Sequence, residues 1–156
     1  MTQQCFPGNV GDELCPEPGD VVSFHTQITL NGLLEIPLQK PPKEKIFDCV
    51  HEIDITKLLE LTVNRPLGKK VLVVGKIMLG IEYISKTEDQ KIHFAHWDIP
   101  FQALIKDNDG SLLPLDFNLD EYIAHVCVEH KECQQVDERT ITYELVLLIW
   151  LQRKDN

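Results

Sequence analysis

The stretch HVCVEHKEC, residues 125–133, puts His125, Cys127, His130 and Cys133 within nine positions. Imidazole and thiolate are the donors that tetrahedral zinc prefers, in closed structural sites or in catalytic sites with one open position. On an extended chain His125 and Cys127 share a face, because side chains alternate with a period of two. His130 and Cys133 are expected in a turn that follows. The spacing matches no zinc knuckle, whose cysteines stand two to four residues apart. The cysteines are therefore read first as disulfide partners or free thiols. Zinc at His125, Cys127, His130 and Cys133, or a redox centre at Cys127 and Cys133, is the alternative.

Other groupings carry less chemistry. His93 and His96 lie three apart in HFAH, so on a strand they point to opposite faces and cannot chelate together. Asp107-Asn108-Asp109-Gly110 resembles part of a calcium loop. With Gly110 as the sixth loop residue, however, the first ligand would be Ile105. Asp and Asn are there for turn geometry. Cys49 and His51 share a strand face, and Cys49 reads as a packed thiol. No Ser or Cys sits in a nucleophile elbow, and no glycine-rich phosphate loop occurs. These features nominate no catalytic residue and no cofactor, and the expected protein is not an enzyme.

That leaves the thiols of the first segment. MTQQCFPGNVGDELCPEPGD holds Cys5 and Cys15 among prolines and glycines, with Phe6, Val10 and Leu14 as its few apolar residues. Such a segment cannot fold alone. Residues 1–19 are read as an extended tail and 20–156 as one domain.

The elements that must position these residues read as β throughout. DVVSFHTQITL (20–30) alternates, Asn31-Gly32 is a hairpin signal, and LLEIPL (33–38) is the expected return strand, with Pro37 suited to an edge. Residues 46–55 and 57–64 read as one long strand or two with a bend. Strands over 69–85, 91–105, 112–130 and 138–153 follow, with 112–121 the least regular part. Gly75 and Gly80 suggest bulges or close packing. In LVLLIWL (145–151) alternation stops, which predicts a central strand covered on both faces. Seven to nine mostly antiparallel strands in a β-sandwich or partly open barrel are expected.

Composition narrows the function classes. The chain has 156 residues, 43% of them hydrophobic, and a formal charge of −10, which suits one globular domain and opposes nucleic-acid binding. Its one basic cluster, KPPKEK (40–45), is interrupted by Glu44. No apolar run approaches the ~20 residues of a membrane-spanning helix. The first residues lack a signal-peptide pattern, so synthesis in the cytoplasm is expected.

Residues 45–151 resemble the SPOCS domain of endospore envelope proteins in sporulating Firmicutes. The matching pieces are Ile81-Glu82-Tyr83, then His93 with Pro100-Phe101, then Asp137-Glu138-Arg139 ahead of Ile141 and the apolar last strand. The resemblance is to a single-domain member without the LysM module of related adaptors. It implies a non-enzymatic role, synthesis in the mother cell and a final place on the spore surface. The resulting expectation is a structural protein of coat, exosporium or appendage that self-assembles into a layer or fibre as a homo-oligomer or polymer. In it the tail docks on a neighbouring subunit through Phe6, Val10 and Leu14, and Cys5 and Cys15 form intermolecular cross-links. Cys49, Cys127 and Cys133 are further disulfide candidates, the pairing left open. The alternative is an adaptor that recruits another spore-coat protein without polymerising, its tail an intrachain disulfide flap.

Overall fold

The computed structural model describes residues 9–20, 22, 24–107 and 109–154. Its strands are β1 (Phe24–Glu35), β2 (Lys43–Asn64), β3 (Leu67–Ser85), β4 (Ile92–Asp107), β5 (Tyr122–Gln135) and β6 (Thr140–Arg153). All pairings are antiparallel, in the order β2-β3-β4-β1-β6-β5. Two three-stranded halves, β2-β3-β4 and β1-β6-β5, join where Phe24 and His25 meet Asp107 and Lys106. The result is a nearly closed barrel, in keeping with the all-β expectation. Among the described residues no helix is long and apolar enough to cross a membrane.

The strands are fewer and longer than expected. Asn31-Gly32 makes no hairpin: β1 runs straight through it, with Gly32 opposite Tyr143 of β6. A Cβ at Gly32 would stand 3.1 Å from the Tyr143 ring, so this glycine makes room for a phenol instead of turning the chain. The turn comes later, where the Lys40 N–H donates to the Pro37 carbonyl at 2.9 Å, and Pro37 lies outside the strand. Residues 46–64 form one strand, with a register shift between Ile55 and Lys57. Residues 112–121 are not part of a strand. They touch β3 through a bridge of Leu113 with Lys69 and bury Leu113, Phe117 and Leu119, and Leu119–Glu121 forms a 3-10 turn before β5.

Alternation builds the core. Val71, Val73, Ile77, Leu79, Ile81 and Tyr83 project from one face of β3 and are fully buried. Val71, Val73, Ile77 and Leu79 meet Ile99, Phe101, Ala103 and Ile105 of β4 and Leu145, Leu147, Ile149 and Leu151 of β6, while Ile81 and Tyr83 pack with Ile36, Ala95 and Ile141. Gly75 sits among them as close packing: a Cβ there would lie 2.7 Å from the Phe101 ring. β6 lies between β1 and β5 and is covered on both faces, as its sequence predicts. The outward Leu148 and Trp150 are buried with Cys127 and Val22. Their cover is the N-terminal tail.

Candidate functional site, a tail clasped across an open sheet edge

β5 and β2 are the two edges of the six-stranded sheet and carry no ladder between them. An edge leaves backbone groups without partners, and native folds pair or cover them. On β5 the tail does this. Val10 forms a parallel bridge with Ala124, the Gly11 N–H donates to the Ala124 carbonyl at 2.9 Å, and the Leu14 N–H donates to the Val126 carbonyl at 3.2 Å. The sequence permits this only locally. Pro7 and Pro16 lack an N–H, and the residues between them keep theirs.

Side chains fix the clasp. The Asn9 amide donates to the carbonyls of Leu119 and Tyr122, at 3.4 and 3.3 Å. The backbone of Gly11 packs directly on the His125 ring, leaving no space for a Cβ. His125 is buried, and its ring tilts against Trp150 with centroids 5.1 Å apart. Its Nδ1 lies 2.9 Å from the Asp12 carbonyl, which can only accept, so Nδ1 carries the proton. Nε2 is 2.8 Å from the Gln152 carboxamide. The Trp150 indole N–H donates to the Leu14 carbonyl at 2.9 Å. Cys15 and Cys127 close the clasp with a disulfide, their Cα atoms 4.7 Å apart.

The seam toward β2 is bridged by a second disulfide, Cys49–Cys133, with Cα atoms 6.5 Å apart. Beside it the Lys131 ammonium donates to His51 Nδ1 at 3.0 Å. Since an ammonium only donates, His51 carries its proton on Nε2, which donates to the Glu13 carboxylate at 2.9 and 3.0 Å. Tail, β2 and β5 are thereby linked through one imidazole. A cavity of about 420 Å³ opens next to it, between Val10–Glu13 of the tail and His51–Ile55 of β2.

Several expectations are corrected here. Cys15 forms its bond within the chain and not with a neighbour. Of the tail anchors, Val10 is half-buried against the chain's own β5, while Leu14 is 42% exposed and docks through its backbone. Cys5 and Phe6 lie outside the described residues. His125, Cys127, His130 and Cys133 do not converge on one ion. β5 continues through His130 and Cys133 instead of turning, and a bulge between Val128 and His130 reverses the alternation. Cys127 consequently faces outward with Leu148 and Trp150, whereas Cys133 packs on the core, and both are consumed by disulfides. Cys49 is likewise disulfide-bonded, so it forms no thiol–imidazole pair with His51. His93 and His96 do lie on opposite faces, stacked on Tyr83 and Phe94 respectively. The Gly110 N–H donates to the Asp107 carbonyl at 2.9 Å, in keeping with a turn, and Asn108 lies outside the described residues.

The Glu13–His51–Lys131 chain and the Gly11–His125 contact escaped sequence reasoning. Their members come from segments far apart in the chain, and no local pattern marks them.

A larger cleft, about 1030 Å³, lies at the barrel end that holds the β1–β2 and β5–β6 connections. Its cations are already engaged by the protein. Lys43 is buried, and its Nζ donates to the Thr140 carbonyl at 3.0 Å and to the Asp137 carbonyl. Arg139 donates to the carbonyls of Pro37 and Lys40, and Lys86 pairs with Glu138 at 3.1 Å. Burial pushes the Lys43 ammonium below its ordinary pKa, against the charges of Asp137 and Glu138. Burial also raises the Tyr83 phenol, and the Arg139 charge opposes it in part. The Arg139 N–H and the Thr140 hydroxyl hold the Asp137 carboxyl below the usual range. Comparison with protein-family models, curated proteins and solved structures found no match.

Proposed function

We propose that this chain is a non-enzymatic structural protein of the endospore surface (coat, exosporium or appendage) that self-assembles into a disulfide-linked layer or fibre. The cysteine usage carries the reading. Cys15–Cys127 and Cys49–Cys133 tie the tail and both sheet edges of one chain, which leaves Cys5 of the five cysteines for a bond to another molecule. Two bonds of this kind suit an oxidising surface better than a reducing cytoplasm. The end cleft supports a non-catalytic role, since its ammonium and guanidinium groups are spent on backbone carbonyls and an internal ion pair. The spore-surface location rests on the SPOCS-like motifs.

A tail docked on its own β5 favours a second reading, the adaptor that recruits another coat protein without polymerising. Gel electrophoresis of the oxidised protein separates the two. Under the structural reading it gives a Cys5-linked dimer that collapses with reductant, and electron microscopy shows those dimers packed into sheets or fibres. Cys5→Ser then runs as a monomer with both intrachain disulfides intact. An oxidised wild-type protein that stays monomeric and dispersed overturns the structural reading in favour of the adaptor.

A further inference from the structure

The bulge that separates His125, Cys127, His130 and Cys133 brings a different group of side chains together. With Glu129 as the extra residue, His130 and Glu132 both turn to the outer face of β5. There Glu132 stands directly opposite Glu144 of β6, and His130 pairs with Val146, diagonal to Glu144. A ligand atom from each of His130, Glu132 and Glu144 falls within 4.8 Å of the others. Two carboxylates directly opposite on neighbouring strands repel one another. Among the described residues no Lys or Arg pairs with either carboxylate, and the Glu144 side chain makes no hydrogen bond or ion pair. One oxygen of Glu132 accepts from the Gln134 amide at 2.6 Å, and the other lies 3.6 Å from His130 Nε2.

We propose that His130, Glu132 and Glu144 bind one divalent transition-metal ion, zinc class, on the outside of the barrel. One imidazole nitrogen and two carboxylate oxygens suit zinc. Calcium and magnesium favour all-oxygen shells. Three protein ligands leave the fourth tetrahedral position to water. The ion neutralises the opposed glutamates and fastens β5 to β6 beside the bulge. Its donors are carried by two paired strands, and the side chains of His130 and Glu132 stand about half exposed, open to an ion from solvent. This assignment is independent of the role in spore-surface assembly.

The test uses the full oxidised chain with zinc chloride. Calorimetry is expected to give one zinc per chain, and thermal unfolding a Tm that rises with zinc and falls back with chelator. His130→Ala and Glu144→Gln should each weaken binding at least about tenfold, while His96→Ala leaves it unchanged. Glu144→Gln has a second signature. Without metal its Tm equals or exceeds that of wild type, because the like-charge contact is gone, and zinc no longer raises it. Zinc binding of equal affinity in wild type, His130→Ala and Glu144→Gln, or no binding to wild type at millimolar zinc, overturns the proposal.

Discussion

Tyr83 is fully buried on the inner face of β3, and its hydroxyl donates to the Pro41 carbonyl at 2.8 Å. A phenolate could neither donate that bond nor be solvated there. Burial therefore raises its pKa above the ordinary 10.0, and burial does the same for Tyr143. A group titrating higher in the folded state contributes stability that is complete below the unfolded value, about 10, and is lost as pH rises through the folded value. Lys43 works in the opposite sense. Its folded pKa is lowered, so the native state releases that proton first, and its contribution improves with pH up to about the ordinary value of 10.5. Tyr83→Phe isolates the first effect. At pH 8 it should cost about 1 kcal/mol for the missing hydrogen bond. Above pH 10 wild type should lose stability faster than the variant, so their denaturant midpoints converge. Parallel curves from pH 8 to 11 would rule out Tyr83 as the source of alkaline instability.

Among elements, the tail segment and β5 form the unit with the sharpest dependence on single residues. The Gly11 and Leu14 N–H and the Asp12 and Leu14 carbonyls of the tail are engaged by β5 and Trp150. Gly11→Ala would place a methyl against the His125 ring and lift the tail from β5. The expected outcome is faster hydrogen exchange at residue 11 and Leu14 and a red shift of Trp150 fluorescence, with the Cys49–Cys133 seam undisturbed. Unchanged exchange at Leu14 would mean that the disulfide alone holds the tail. Cys15→Ser tests the covalent part. Cys15 and Cys127 are separated by 112 residues. For a loop that long, chain entropy gives a loss of about 4–5 kcal/mol on removal, read as a lower denaturant midpoint. A midpoint within error of wild type would show that the backbone bonds suffice.

For the whole molecule the question is how an open six-stranded sheet stays closed. No β-ladder joins β2 to β5, and the seam rests on Cys49–Cys133, the Glu13–His51–Lys131 chain and a bond from the Gln135 amide to the Glu44 carbonyl at 3.2 Å. Cys49→Ser with Cys133→Ser should open this edge, lowering the thermal midpoint and exposing Ile53 and Ile55, which pack partly buried on the core. Increased binding of a hydrophobic dye is the measurement. Equal dye binding and midpoint in the double variant would assign closure to the tail alone.

The alternation of Val, Ile, Leu and aromatic residues after position 20 was enough by itself to specify an all-β chain. The unbroken LVLLIWL likewise specified a last strand covered on both sides, because burial on two faces requires apolar residues at both parities. Strand number was not legible. Gly32 has the same local preference in a turn as beside a large ring, and only the position of Tyr143 across the sheet decides between them. Nor was the cysteine pairing legible. A one-residue bulge at Glu129 shifts the parity of Cys133 relative to Cys127, and no local signal in VCVEHKEC marks where the extra residue falls. Disulfide partners depend on which edges the sheet brings together, over separations of 112 and 84 residues. The sequence thus determined the class of fold and the segment of interest. Tertiary structure decided where that segment docks, since an open β5 edge in the same chain offers the unpaired carbonyls of Ala124 and Val126 to the donors of the tail.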